Sequence, residues 1–277
     1  MGPVRICAAE ANAGPGAQLA GRYDLIERIG GGDTGVVWRC HDMELDDEVA
    51  IKLLHRDLAA ADRADERLRL AVRLARQVTH PNAARVFECG RAEHHFLTME
   101  YIRGDSLRGW IARGGPMPPA WVQALAVSLC RGLAAALAVG VVHGAIRASN
   151  VLLAPGRGAV LTDFGIASAF ALPLQGARRP AGGLAYLAPE RLHGGGITAR
   201  SDVFAVGVVL FEALTGRLPW GDDEEALVAR SCGGGRPPAT QGMPEAWQGL
   251  IADCLQDEPA RRPADVRSLL VRMGAGR

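Results

Sequence analysis

The fold is decided by the stretch Ile29-Gly30-Gly31-Gly32-Asp33-Thr34-Gly35-Val36-Val37, followed by Val49-Ala50-Ile51-Lys52. The first part contains G-x-G-x-x-G and then valine. With 35 glycines in 277 residues, three glycines at those offsets arise by chance about 0.5 times in such a chain, so the motif alone carries little. Its flanks carry more. β-rich runs lie on both sides, Tyr23 to Ile29 and Gly35 to His41, which fits a glycine hairpin better than a turn that opens a helix. Backbone N–H groups of such a hairpin suit phosphate oxygens.

Lys52 is the only lysine in the chain; the other 30 of its 31 basic residues are arginine. A compact ammonium at the end of a strand-like run suits a bridge between nucleotide phosphates, whereas a guanidinium is longer and planar. Further β-rich runs follow at Glu48 to Leu54, Ala84 to Glu88 and His95 to Glu100, with one charged helical stretch between them. Beyond Gly104 the periodicity is helical, with Pro/Gly punctuation at Gly114 to Pro119, Gly194 to Gly196 and Gly233 to Pro238.

This pattern predicts an α+β, bilobal fold: a small antiparallel β-lobe with one helix, then a large, mainly helical lobe. The expected domain covers 21–272, with lobes of about 21–101 and 102–272, after a disordered lead-in over 1–20. A chain with 48% hydrophobic and 22% charged residues has enough apolar content for such a core. Its net charge of +1 gives no reason to expect nucleic acid as a partner. Six scattered cysteines, without metal-ligand spacing, read as reduced cytoplasmic thiols. Val122 to Val142, interrupted by Arg131, and Val203 to Leu214 read as buried core helices, so no membrane is expected.

Further motifs stand in order after V-A-I-K: His80-Pro81-Asn82, Leu97 to Ile102, His143-Gly144-Ala145-Ile146-Arg147-Ala148-Ser149-Asn150, Asp163-Phe164-Gly165, Ala188-Pro189-Glu190 and Ser201-Asp202-Val203-Phe204. Together they resemble the eukaryotic-like protein kinase family, in particular its bacterial Ser/Thr branch, over about Gly21 to Leu270. The resemblance implies ATP and Mg2+ as ligands. Ile29, Gly30, Gly32 and Gly35 would cover the nucleotide, and Lys52 would reach its phosphates. Val37, Ala50 and Leu153 would wall the adenine, and backbone groups of Glu100 and Ile102 would bond it. Asn150 and Asp163 would hold the metal.

It also marks losses. The family's proton-accepting aspartate is replaced by Ala145, and no Asp or Glu occurs from Ser106 to Thr162. Gly144 replaces the arginine that docks a phosphorylated loop, Arg147 replaces the loop lysine, and Gly183 replaces a threonine. Between Asp163 and Glu190 the only hydroxyls are Ser168 and Tyr186. The glutamate that steadies the strand lysine falls at Ala71, on an inward stripe of Leu68, Ala71, Ala75 and Val78. Glu66 lies about 140° of helical rotation away from Ala71. Glu190 with Arg262, Asp202 with the His143 backbone, and a stack of His143 on Phe164 are expected as scaffold.

No catalytic residue is therefore assigned. The reading is a cytoplasmic pseudokinase that binds ATP with Mg2+ and acts on another protein as a scaffold or allosteric regulator. Its alternatives are a weakly active Ser/Thr kinase, a kinase-like fold turned to AMP transfer, and a structural module that never meets nucleotide.

Overall fold

The computed structural model describes residues 14–32, 34–55, 64–164, 181–221, 240 and 242–276. Asp33, Gly165, Ser168, Cys7, Cys232 and the stretch 233–238, all used in the sequence reading, lie outside these residues, as do 1–13. Two compact units form. One contains the described residues up to Arg69 together with Val86–Tyr101; the other contains Leu70–Arg85 and the chain from Ile102 onward.

The first unit is a six-stranded antiparallel sheet ordered β1-β2-β3-β4-β6-β5. Its strands are β1 (Gln18–Leu19), β2 (Tyr23–Gly32), β3 (Gly35–Asp42), β4 (Asp47–Leu54), β5 (Val86–Arg91) and β6 (His95–Glu100). Alternation decides its faces. Val36, Trp38, Cys40, Val49, Ile51, Leu53 and Phe96 share one core with Tyr23 and Leu25. The strand β1 departs from the expected lead-in over 1–20. Ala17 and Leu19 pack against that core, and the Leu25 N–H donates to the Ala17 carbonyl at 2.9 Å. Two apolar side chains and a paired edge are enough to fix residues that composition alone reads as loose.

Helix α1 (Ala64–Ala75) belongs partly to each unit, the change falling between Arg69 and Leu70. The predicted stripe is buried: Leu68, Ala71, Ala75 and Val78 are 2–4% exposed. Thus Leu70–Arg85 groups with the second unit, where the sequence reading put it in the small lobe.

The second unit is mainly helical: α2 (Leu107–Gly114), α3 (Pro119–Ala138), α4 (Pro189–Leu192), α5 (Ala199–Thr215), α6 (Glu245–Cys254) and α7 (Val266–Arg272). The three strands β7 (Asp105–Ser106), β8 (Val151–Ala154) and β9 (Gly158–Leu161) form its small sheet. Thr198 caps α5 through a reciprocal pair with Ser201, and Gly216 ends it at φ 72°. Helix α3 is long and apolar enough to cross a membrane by length and composition. Here its Val122, Leu125, Ala126, Leu129 and Leu133 are buried among β9, α5 and α7, as expected of a core helix, and Arg131 is exposed.

Candidate functional site

In the first unit the glycine stretch forms a hairpin tip, as the flanking strands predict. Gly32 pairs with Gly35 across β2 and β3. Gly35 is demanded by close approach: a Cβ there would lie 2.0 Å from the Leu53 carbonyl oxygen, far inside contact distance. Gly30 pairs with Val37, Val37 with Lys52, and Lys52 with Leu97. Residues in register point to the same face of an antiparallel sheet, so these four form one row across four strands. Ala50, two residues before Lys52, is on the same face beside Met99. That face is opposite the apolar core, whose β4 members are Val49, Ile51 and Leu53.

Lys52 is 4% exposed. Burying an ammonium is costly without negative groups nearby, so a strand that keeps its one lysine there is organised around charge. Ile29, by contrast, is 43% exposed on β2. Glu100 ends β6 opposite Val49.

In the second unit, Ile102 is buried with Ala84, Ala154 and Val160, and Leu153 is half-buried on β8, paired with Ala159. The β8–β9 hairpin brings the two expected metal ligands together. Asn150 directly precedes β8 and Asp163 lies two residues beyond the end of β9, and the Thr162 N–H donates to the Asn150 carbonyl at 2.9 Å across the open end. Asp163 has φ 66°, a left-handed conformation uncommon outside glycine. Its carboxylate and the Asn150 amide oxygen are the hard donors a magnesium ion requires.

The catalytic loop is fully formed around Ala145. Asp202 accepts the backbone N–H groups of His143 and Gly144, each at 2.8 Å. The Asn150 amide nitrogen donates to the Ala145 carbonyl at 2.9 Å. The His143 Nε2–H donates to the Thr162 carbonyl at 2.8 Å, and its Nδ1 accepts the Ala145 N–H at 3.2 Å. Both ring nitrogens therefore serve the backbone, so His143 is no substitute for the missing proton acceptor. Its ring meets Phe164 edge-on, with centroids 4.7 Å apart and planes at 65°. The expected stack is thus a T-shaped pair, the arrangement the aromatic quadrupole favours.

Burial pushes the Asp202 carboxyl up to about 6, against the lowering effect of its two N–H donors and of Arg191. Gly144, at φ 72°, would place a Cβ 2.7 Å from Ile197, so the loop that lost the family's arginine is shaped for glycine. Tyr186, one of the two hydroxyls noted above, is 3% exposed and donates to buried Glu212. Burial raises Tyr186 well above the ordinary phenol range and raises Glu212 above the ordinary carboxylate range. That pair was not anticipated; no periodicity links residues 26 apart.

The scaffold pair is present. Arg262 donates to both oxygens of Glu190 at 2.8 Å, and its guanidinium lies 4.9 Å from the centre of the Phe204 ring. It also donates to the carbonyls of Gln256, Asp257 and Arg200.

A profile of the protein kinase domain matches residues 23–271. Serine/threonine-protein kinase PrkC of Bacillus subtilis is 31% identical over 89% of this chain and 39% of its own length. Serine/threonine-protein kinase PknL of Mycobacterium tuberculosis is 34% identical over 94% of this chain and 65% of its own length. The chain thus spans less than two thirds of these curated relatives. The crystal structure of the Mycobacterium tuberculosis PknI kinase domain is similar in fold, with a TM-score of 0.75 at 21% identity, over 96% of this chain and all of that one. Profile, relatives and fold agree: the chain belongs to the protein kinase family, in its bacterial serine/threonine branch.

Proposed function

We propose that this domain is a cytoplasmic pseudokinase, which binds ATP with Mg2+ and acts on another protein as a nucleotide-dependent scaffold or allosteric regulator. One observation carries the reading. The loop that should hold a proton acceptor is fully assembled, yet its reactive position is the methyl group of Ala145, and both nitrogens of His143 are bonded to backbone.

The binding residues support the other half. The row Gly30, Val37 and Lys52, with Ala50 on the same face, suits a nucleotide base and its phosphates, and Asp163 supplies an anionic oxygen for a cation. When bound, magnesium would neutralise phosphate charge. Lys52 would add a fixed positive charge, and Val37 and Ala50 an apolar wall.

Saturating Mg-ATP is expected to stabilise the fold by about 2.7 kcal/mol at a hundredfold excess over Kd, and Lys52→Met to remove most of that gain. A melting transition that ignores Mg-ATP overturns the reading.

A weakly active Ser/Thr kinase is the second reading, supported by the intact bond from Asn150 to the Ala145 carbonyl. Phosphoryl transfer rests mainly on positioning and charge, and a general base contributes about 10² to 10⁴ in rate. Transfer of labelled γ-phosphate that vanishes in both Lys52→Ala and Asp163→Ala would establish it.

A further inference from the structure

We propose that Arg147 takes the place of a second divalent cation, so that this domain binds its nucleotide with one metal ion, at Asp163, and not with two. The inference rests on the nucleotide-binding reading and concerns how that site is charged.

The Asn150 side chain has only one sensible orientation. The Ala145 carbonyl accepts and cannot donate, so the atom 2.9 Å from it is the amide nitrogen, Nδ2. That leaves Oδ1 on the other side, where the Arg147 Nε–H donates to it at 3.4 Å and the Ser149 hydroxyl at 3.4 Å. Arginine has no acceptor atom, so the same assignment follows from its side. The oxygen that would ligate a cation is thus already turned to a guanidinium.

Charge and size then decide. A magnesium ion on Oδ1 would sit about 2.1 Å from it, which puts it within about 5.5 Å of the Arg147 Nε. Two cations at that range repel strongly in a partly buried site, and Arg147 is itself half-buried. An amide oxygen carries no net charge to offset this, and the one carboxylate that the β8–β9 hairpin brings near it, Asp163, is committed to the first ion. Magnesium also demands a near-ideal octahedral shell and sheds water reluctantly. A permanently charged guanidinium beside Oδ1 can instead supply the positive charge that the phosphates need. Asp163 stays the one anionic ligand among the two expected metal residues.

The test counts ions. Mn2+ is titrated into the protein saturated with a non-hydrolysable ATP analogue, free Mn2+ is followed by its electron paramagnetic resonance signal, and bound nucleotide is measured in the same samples. One Mn2+ per bound nucleotide is expected in the wild type. In Arg147→Met, which keeps the aliphatic stem, the number should double to two, and in Arg147→Met/Asn150→Ala it should return to one. Two ions in the wild type overturn the inference and leave nucleotide binding standing, whatever the variants do. One ion in both wild type and Arg147→Met also overturns it, because the guanidinium is then not what excludes the second. Failure of the wild type to bind the analogue at all overturns the nucleotide reading and this inference with it.

Discussion

The face of the first unit's sheet that carries Lys52 and the loop around Ala145 are built to opposite rules. In the sheet, backbone pairing alone holds Gly30, Val37, Lys52 and Leu97 in register. In the loop, the polar side chains hold the backbone: Asp202, His143 and Asn150 each bond main-chain groups, and the residue they present is an alanine. A scaffold whose polar side chains serve its own shape keeps that shape whatever residue stands at position 145, because each of them has a structural task. Intact architecture around a catalytic loop is therefore no measure of catalysis.

Breaking the scaffold should have the largest effect. Arg262→Ala removes five donor contacts and leaves Glu190 without its partner; loss of about 3–5 kcal/mol is expected, read by urea denaturation. A loss under 1 kcal/mol would show that this pair is not what holds the second unit.

The next largest effect is a pH dependence. Asp202 has its carboxyl raised from 3.8 to about 6. Between about pH 4 and 6 the folded state keeps a proton that the unfolded chain has released, so this residue's contribution to stability is fully present below pH 4 and lost as pH rises through 6. The stability of wild type relative to Asp202→Asn should fall by about 3 kcal/mol from pH 4 to 7. A flat difference across that range would mean that the carboxylate is charged throughout.

Tyr186→Phe deletes the donor to buried Glu212, at an expected cost of about 1–3 kcal/mol. Ala145→Asp should change stability least, within about 0.5 kcal/mol, since position 145 is partly exposed. It also sharpens the comparison most directly. Combined with Ala71→Glu it should raise transfer of γ-phosphate by about 10²-fold or more if proton acceptance and lysine positioning are all that was lost. No rise would place the defect deeper, with Arg147 and Gly144 as the next residues to change.

The sheet was legible because its signals are local and periodic. Two-residue alternation marked the strands, V-A-I-K fixed the register of Lys52, and 3.6-residue spacing placed Ala71 on a buried stripe. Asp202, Glu190 and Arg262 were legible only through resemblance, since their contacts join residues 58 to 72 apart. The rest had no signal to read. The fit of Gly144 against Ile197, the Tyr186–Glu212 bond and the turn of Asn150 Oδ1 toward Arg147 depend on which rotamers fill a particular space. The strand β1 has no local signal for a related reason: its two residues gain their place by pairing with Asp24 and Tyr23, not from their own composition.

Lys52 is both solitary and buried, and that makes the chain its own reporter. Apart from the α-amine, acetylation, ubiquitination or an amine-directed crosslinker has only one target side chain. Because that amine is 4% exposed, modification has to wait for local opening of the strand face that holds it. The rate at which an acylating reagent adds a single mass increment to the intact chain therefore measures how often this face opens, and a ligand that closes it would slow the labelling.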